Sequence, residues 1–472
     1  MIAHQEVFIK GRWRPAEGTD SLEVVNPADE QVIGSVPAGS AADVDAAVHA
    51  ARSALPSWAA TAPTRRAELL TALSGELVAR QEQMASLITA EVGTPIGFSR
   101  RVQAGLPVTV TRLHADLAAD FAFEEQVGNS LVVLEPVGVV GAITPWNYPL
   151  HQIVCKVVPA LAAGCTVVLK PAELTPLSAQ LFTECVAAAG LPEGVFNLVT
   201  GRGTEAGEAL VRHPGVDMIS FTGSTAVGRH IGSVAGAAVK PVALELGGKS
   251  ANVILPGADL TQAVRANVAD VMRNAGQSCN ALTRTLVSAD DYEEALRLAV
   301  KEIAAYVPGD PADPDCRLGP VVSGAQRDRV RDHIRTGLAE GARLVVGGPE
   351  TPEGRDKGYY IRPTVFADVT PTMSIARQEI FGPVLSFMKY EDEAEALHIA
   401  NDSDYGLAGS VWAADRQQAI AFARAMLCGQ VTVNGGGYNP LAPFGGYRQS
   451  GVGRELGKHG LMEFLQPKSL QL

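Results

Sequence analysis

The chain has 472 residues, 46% of them hydrophobic and 19% charged, and carries a formal net charge of -12. That length points to two or three domains, and the composition to packed cores without a disorder signature. The acidic balance argues against binding to nucleic acid or anionic lipid, which needs clustered Lys and Arg.

The chain starts MIAHQEVFIKGRWRP, with no basic region ahead of an apolar core, so no signal peptide is expected. Helical patterns follow at 41–55 and 65–92. The segment 126–135, containing NSLVVLEP, reads as an isolated strand. From 137 to 255 short β-branched runs alternate with helical patterns. Strands are expected at 137–143, 166–169, 195–199 and 217–221, and helices at 152–163, 178–189, 204–212 and 225–234. Gly164 and Gly190 sit where left-handed C-terminal caps belong. Strand, helix, strand at this spacing predicts βαβ units and a mostly parallel, doubly wound sheet. The apolar runs at 157–163 and 165–169 fall far short of the ~20 residues of a membrane span.

The alternation resumes with a helix at 260–274, a strand at 285–288 and a helix at 292–306. Strands at 406–412 and 430–434 flank a helix at 416–427, and a Gly-rich loop follows at 435–437. This makes a second α/β unit. The tail, 464–472, reads as extended, so two stray strands bracket the α/β units and are free to pair with another subunit. The six Cys, at 155, 165, 185, 279, 316 and 428, contain no CxxC pair. They fit free thiols in a reducing cytoplasm better than disulfides or a zinc site.

Five loops carry residues suited to chemistry. Cys279 falls in Gly276-Gln277-Ser278-Cys279-Asn280, where a turn exposes the sulfur and offers backbone N–H dipoles that favour the thiolate. A buried structural thiol is the plainer alternative. Glu245 interrupts an apolar strand before Gly247-Gly248; it is either a proton-transfer group with a raised pKa or a structural carboxylate held by the Gly-Gly turn. Phe221-Thr222-Gly223-Ser224 closes a strand and opens a helix, where a pyrophosphate would meet helix N–H groups. The spacing there is Gly-x-x-x-x-Gly, so an ordinary turn stays open as the alternative. Lys170 and Glu173 follow another strand and suit ribose hydroxyls, or a solvated turn. Asn147, in Ile143-Thr144-Pro145-Trp146-Asn147-Tyr148-Pro149, sits in a loop that the prolines stiffen, as a fixed donor to a polarised carbonyl must.

In this order, PWNYP, KPAELTP, FTGSTAVG, LELGGKS, GQSCNA, QEIFGPV and PFGGYRQSGVGRE resemble the aldehyde dehydrogenase superfamily, of the hydrolytic rather than CoA-acylating type. The resemblance spans nearly the whole chain. It implies Cys279 as nucleophile, Glu245 as the base for deacylation, and Asn147 as the side-chain half of an oxyanion hole completed by the Cys279 N–H. It implies cofactor contacts at Ile143, Thr144, Pro145, Trp146, Lys170, Glu173, Gly203, Gly207, Phe221, Thr222, Gly223, Ser224, Leu246, Gly247, Glu379 and Phe381. It places Tyr148, Cys155, Ser278, Asn280, Tyr438 and Phe444 along a substrate tunnel, and Glu455 at a second acidic position. The chemistry is consistent: thiolate addition gives a thiohemiacetal oxyanion, its collapse releases hydride to a nicotinamide, and water hydrolyses the resulting thioester. No step calls for a metal.

Two departures stand out. Cys155 precedes Lys156 where well-known members carry Trp, and Arg448 stands where Lys is common. Glu173 favours NAD by repelling a 2′-phosphate, with NADP left open. The tunnel set predicts a medium-sized aliphatic or aromatic aldehyde, and the absence of an Arg there disfavours a semialdehyde. The expected fold is α/β, with two doubly wound parallel-sheet domains, one of them Rossmann-like, and a small β element. The expected division is 1–117 and 138–247 for dinucleotide binding, 248–448 for catalysis, and 118–137 with 449–472 for oligomerisation. The resemblance implies a homodimer or homotetramer joined through the β element, and the free thiols fit the cytoplasm. Thioester transfer to coenzyme A, and a non-catalytic member of the fold, are the alternatives; Glu245 argues against the first.

Overall fold

The computed structural model describes residues 2–3 and 5–472. Five strands form the parallel heart of an eight-stranded sheet, in the order Val242–Glu245, Met218–Thr222, Val139–Ile143, Thr166–Lys170, Phe196–Leu198. These strands are almost wholly buried, as β-branched runs covered by helices on both faces must be. One face packs against the helices Pro63–Ala79, Pro149–Ala163 and Pro176–Ala188, the other against Ala41–Ala59 and Thr225–Ala237. The hairpin Glu6–Ile9 and Arg12–Pro15 adds antiparallel strands at one edge, and Gly451–Val452 adds one at the other.

A seven-stranded sheet carries the second core, in the order Arg343–Val346, Thr364–Ala367, Val384–Tyr390, Arg284–Ser288, Ala251–Ile254, Ala408–Trp412, Gln430–Val433. Six of these strands run parallel, and Arg343–Val346 is antiparallel to its neighbour. The expected α/β architecture with two wound sheets is therefore present. No described helix is long and apolar enough to cross a membrane.

Several expectations need correction. The segment at 126–135 is a hairpin, Glu124–Val127 and Ser130–Pro136, turning at Gly128, whose φ is 60°. The two stray strands pair with each other: Leu465–Gln471 runs antiparallel along Ser130–Pro136 in unbroken register. Residues 451–462 lie against the first unit, not in the bridging element. Gly451 and Val452 pair with Glu245 and Leu244, and the helix Gly457–Met462 packs on Pro149–Ala163 and Gly105–Asp120. The helix expected at 65–92 is two, Pro63–Ala79 and Gln81–Val92, parted at Arg80, whose ψ of 12° breaks the helical path. Helix 204–212 opens with a π turn, Gly203–Gly207, before Glu208–Arg212.

Candidate active site

Strand register gathers the candidate groups at one edge. Ile143 pairs with both Lys170 and Phe221, and Thr222 pairs with Glu245, so four parallel strands end level. The loops leaving those ends carry the sequence motifs, as expected at the C-terminal edge of a doubly wound sheet. A cleft opens there. Of the candidate residues it is lined by Pro145, Trp146, Asn147, Thr222, Gly223, Ser224, Leu246, Gly247, Cys279, Glu379 and Phe381. Both units contribute to it.

The turn before Cys279 is held in an unusual conformation. Asn274, Ala275 and Gly276 all have positive φ, at 50°, 54° and 74°. A left-handed backbone costs an L-residue ~1–2 kcal/mol, and Asn and Gly tolerate it best. Packing maintains it: a Cβ on Gly276 would lie 2.0 Å from the Gly382 carbonyl oxygen. Asn147 is 5% exposed, and its Nδ2 donates to the Gln277 carbonyl at 3.0 Å. Tyr148 and Ser278 share a hydroxyl hydrogen bond at 2.6 Å.

Cys279 is half-buried, and its thiol is pushed up, first by burial and then by Glu379, Glu245 and Glu455. The backbone N–H contribution expected from the sequence is present but smaller than these. These surroundings favour the thiol over the thiolate. Glu245 is 3% exposed, and neither carboxylate oxygen has a partner among the described residues. Its pKa is raised well above the ordinary carboxylate range, by burial and then by Glu455, against the pull of Lys156 and Arg454. A carboxylate raised in this way is a stronger proton acceptor than an exposed one. Lys156 and Glu455 form a buried ion pair.

The cofactor candidates fit a dinucleotide. Ser224 caps the helix Thr225–Ala237 through the Val227 N–H, leaving a helix N-terminus at the cleft. A Cβ on Gly247 would sit 2.5 Å from Glu379 Oε2, and one on Gly223 would sit 2.5 Å from the Phe221 ring, so both glycines keep a cradle open. Glu379 Oε1 accepts the Gly248 N–H, and burial raises its carboxyl to about 7. Trp146 and Phe381 meet edge-on with centroids 5.3 Å apart. One strand along, Lys170 is 3% exposed and lies 3.8 Å from Glu173, which accepts the Gly203 N–H; Gly207 lies against the Lys170 stem. Ile143, Thr144 and Phe221 are buried behind these loops.

The tunnel candidates are less closely gathered. Cys155 is 2% exposed, and its sulfur lies 3.5 Å from His151 Nε2. Tyr438 is 47% exposed, yet its phenol is pushed up, first by burial around the oxygen and then by Cys155, Glu455 and Cys279. Phe444 pairs through its backbone with Glu455, and Asn280 is half-buried beside Cys279. Arg448 donates to the Asn401 and Ser403 carbonyls, away from the cleft lining.

Sequence reading missed Gln152, Gln326 and Arg329, which also line the cleft. Gln326 donates to the Phe381 carbonyl at 2.8 Å and Arg329 to the Glu379 carbonyl at 3.1 Å. Both lie on the helix Gly324–Ala339, whose serine cap Ser323 was the available signal.

The chain is similar over nearly its whole length to known aldehyde dehydrogenases. The sequence model of the Aldehyde dehydrogenase family matches residues 13–470. A 3-succinoylsemialdehyde-pyridine dehydrogenase of a Pseudomonas species is 47% identical, covering 100% of this chain and 99% of that protein. A crystal structure of aldehyde dehydrogenase C from Pseudomonas syringae, a Cys-to-Ala variant with NAD+ and octanal, superposes with a TM-score of 0.98 at 46% identity, covering 99% of this chain and 96% of that one. A Mycobacterium tuberculosis aldehyde dehydrogenase with NAD+ superposes with a TM-score of 0.98 at 44% identity, covering 100% and 98%.

Proposed function

The chain belongs to the aldehyde dehydrogenase family, and from that membership we propose how its own residues divide the work of oxidising an aldehyde. It is an NAD-dependent aldehyde dehydrogenase. Cys279 adds to the aldehyde carbonyl, and the Asn147 amide with the Cys279 N–H holds the thiohemiacetal oxyanion. Bound NAD+ supplies the hydride acceptor. Gly223, Ser224, Lys170 and Glu173 would hold its phosphate and ribose parts, and Glu379 and Phe381 its nicotinamide end. Glu245 takes the proton of the water that hydrolyses the Cys279 thioester. The observation that carries this reading is that Cys279, Asn147, Glu379 and the Gly223-Ser224 turn line one cleft.

The unit with the eight-stranded sheet binds the dinucleotide, and residues 248–448 are the catalytic domain. The sheet formed by 124–136 and the tail joins subunits into a dimer or tetramer in the cytoplasm. The outer edge of Leu465–Gln471 is unpaired among the described residues and supports that reading. Glu173 beside the ribose position supports NAD over NADP. Tyr148, Ser278, Tyr438 and Phe444, with no Arg among them, support a medium-sized aliphatic or aromatic aldehyde. Mixing enzyme and NAD+ with octanal and benzaldehyde should give a burst of NADH. Cys279→Ala abolishes the burst, and Glu245→Gln slows steady-state turnover more than it slows the burst. NAD+ reduction by Cys279→Ala at the wild-type rate overturns the assignment.

A further inference from the structure

The loop bearing Asn147 has its main-chain carbonyl held from two sides. Gln103 Nε2 donates to the Asn147 carbonyl oxygen at 2.8 Å, and Asn274 Nδ2 donates to the same oxygen at 2.9 Å. The Thr94 hydroxyl donates to Asn274 Oδ1 at 2.6 Å, and Gln103 Nε2 also reaches Thr94 Oγ1 at 3.4 Å. This network fixes its own amide orientations. A carbonyl only accepts, so Gln103 and Asn274 must present nitrogen to Asn147. Asn274 then presents its oxygen to Thr94, whose hydroxyl spends its proton there and accepts from Gln103. All four residues are at least 95% buried, where a misdirected amide would cost ~1–3 kcal/mol.

Gln103 reaches inward through a local irregularity. Residues Ser99–Gln103 form a π turn, with the Ala104 N–H donating to the Ser99 carbonyl at 2.8 Å. The extra residue in that turn re-aims the side chain that ends it. Asn147 in turn gives one Nδ2 hydrogen to the Gln277 carbonyl, which leaves the second for another acceptor. The direction of that second hydrogen is set by the Asn147 backbone, and the backbone by Gln103 and Asn274.

We propose that Gln103 is a positioning residue for the oxidation: by holding the Asn147 carbonyl it aims the Asn147 amide at the oxyanion that forms on Cys279. The proposal rests on Asn147 as the oxyanion donor. Gln103 touches neither substrate nor sulfur, so its loss should slow steps that pass through an oxyanion and leave simple alkylation of the thiol alone.

The test compares the NADH burst with alkylation of Cys279 by iodoacetamide, a displacement that develops no oxyanion. Gln103→Leu should slow the burst ~10-fold or more, part of the ~10²–10³ lost with a whole donor, with alkylation and the KM for NAD+ held within about twofold. Gln103→Glu keeps the shape and can donate only when protonated. Its burst should approach wild type at low pH and fall as pH rises, a limb the wild type lacks. An unchanged burst in Gln103→Leu overturns the proposal. So does a parallel fall in burst, alkylation and NAD+ binding, which marks a general loss of structure. An unimpaired burst in Asn147→Ala instead overturns the reading of Asn147 itself.

Discussion

Lys156 Nζ and Glu455 Oε1 form an ion pair, with side chains only 1% and 6% exposed, close enough to Glu245 to act on its proton from both signs of charge. Glu455 raises the Glu245 carboxyl and Lys156 lowers it. Glu455→Gln removes the raising charge and frees the lowering one. The acid limb of kcat, where hydrolysis limits turnover, should move to lower pH. A limb that stays put or moves up in a pH profile contradicts this. Lys156→Met leaves Glu455 as an uncompensated buried charge and should cost ~3–5 kcal/mol in stability by denaturant melts.

Glu379 gives a second pH signature. Burial raises its carboxyl to about 7, so in the free protein it is neutral below that value and charged above it. The ionised carboxylate offers both oxygens as acceptors, whereas the neutral acid turns one of them into a donor. kcat/KM for NAD+ should therefore rise as pH climbs through about 7, and Glu379→Gln should lose that limb. Stability runs the other way. A carboxyl whose folded pKa is raised contributes stability that is complete below the unfolded value of ~4.3 and lost as pH rises towards 7. Glu379→Gln should then gain on the wild type across that window in thermal melts.

Gly276→Ala should be severe. Its φ of 74° alone costs an alanine ~1–2 kcal/mol. The added methyl would also meet the Gly382 carbonyl carbon at 2.2 Å, which forces the nucleophile turn away from the Phe381 loop. A melting temperature lowered by several degrees together with a lost NADH burst is expected. Retention of both would mean that the two loops can separate freely.

The sequence made the parallel strands legible because buried βαβ units write themselves as apolar runs closed by glycines, as at 166–169 and Gly164. Four of the site motifs were legible for the same reason, because they follow those strands; the Cys279 turn instead follows the helix Leu260–Met272. What was hidden depends on distant partners. Arg12–Pro15 is a half-exposed edge strand with two arginines, and only its pairing with Glu6–Ile9 makes it a strand. Nothing local marks Gln103, because a glutamine that ends a π turn reads as surface helix until the Asn147 carbonyl is placed beside it. The upward shift of the Cys279 thiol was hidden for a related reason: the turn lies within the motif, whereas the burial and the three carboxylates that oppose ionisation come from elsewhere in the chain.

The short strand Gly451–Val452 gives the chain an order of assembly. The seven-stranded sheet is built from the continuous stretch 251–433 and has all its strands once that stretch has emerged from the ribosome. The eight-stranded sheet begins with Glu6–Ile9 but keeps an open flank on Val242–Glu245 until residue 452 has been made. The second unit to be synthesised is thus the first able to finish folding, and the strand that carries Glu245 is among the last to be covered. A nascent chain stalled before residue 451 exposes that flank, the kind of unpaired edge that aggregates or recruits chaperones.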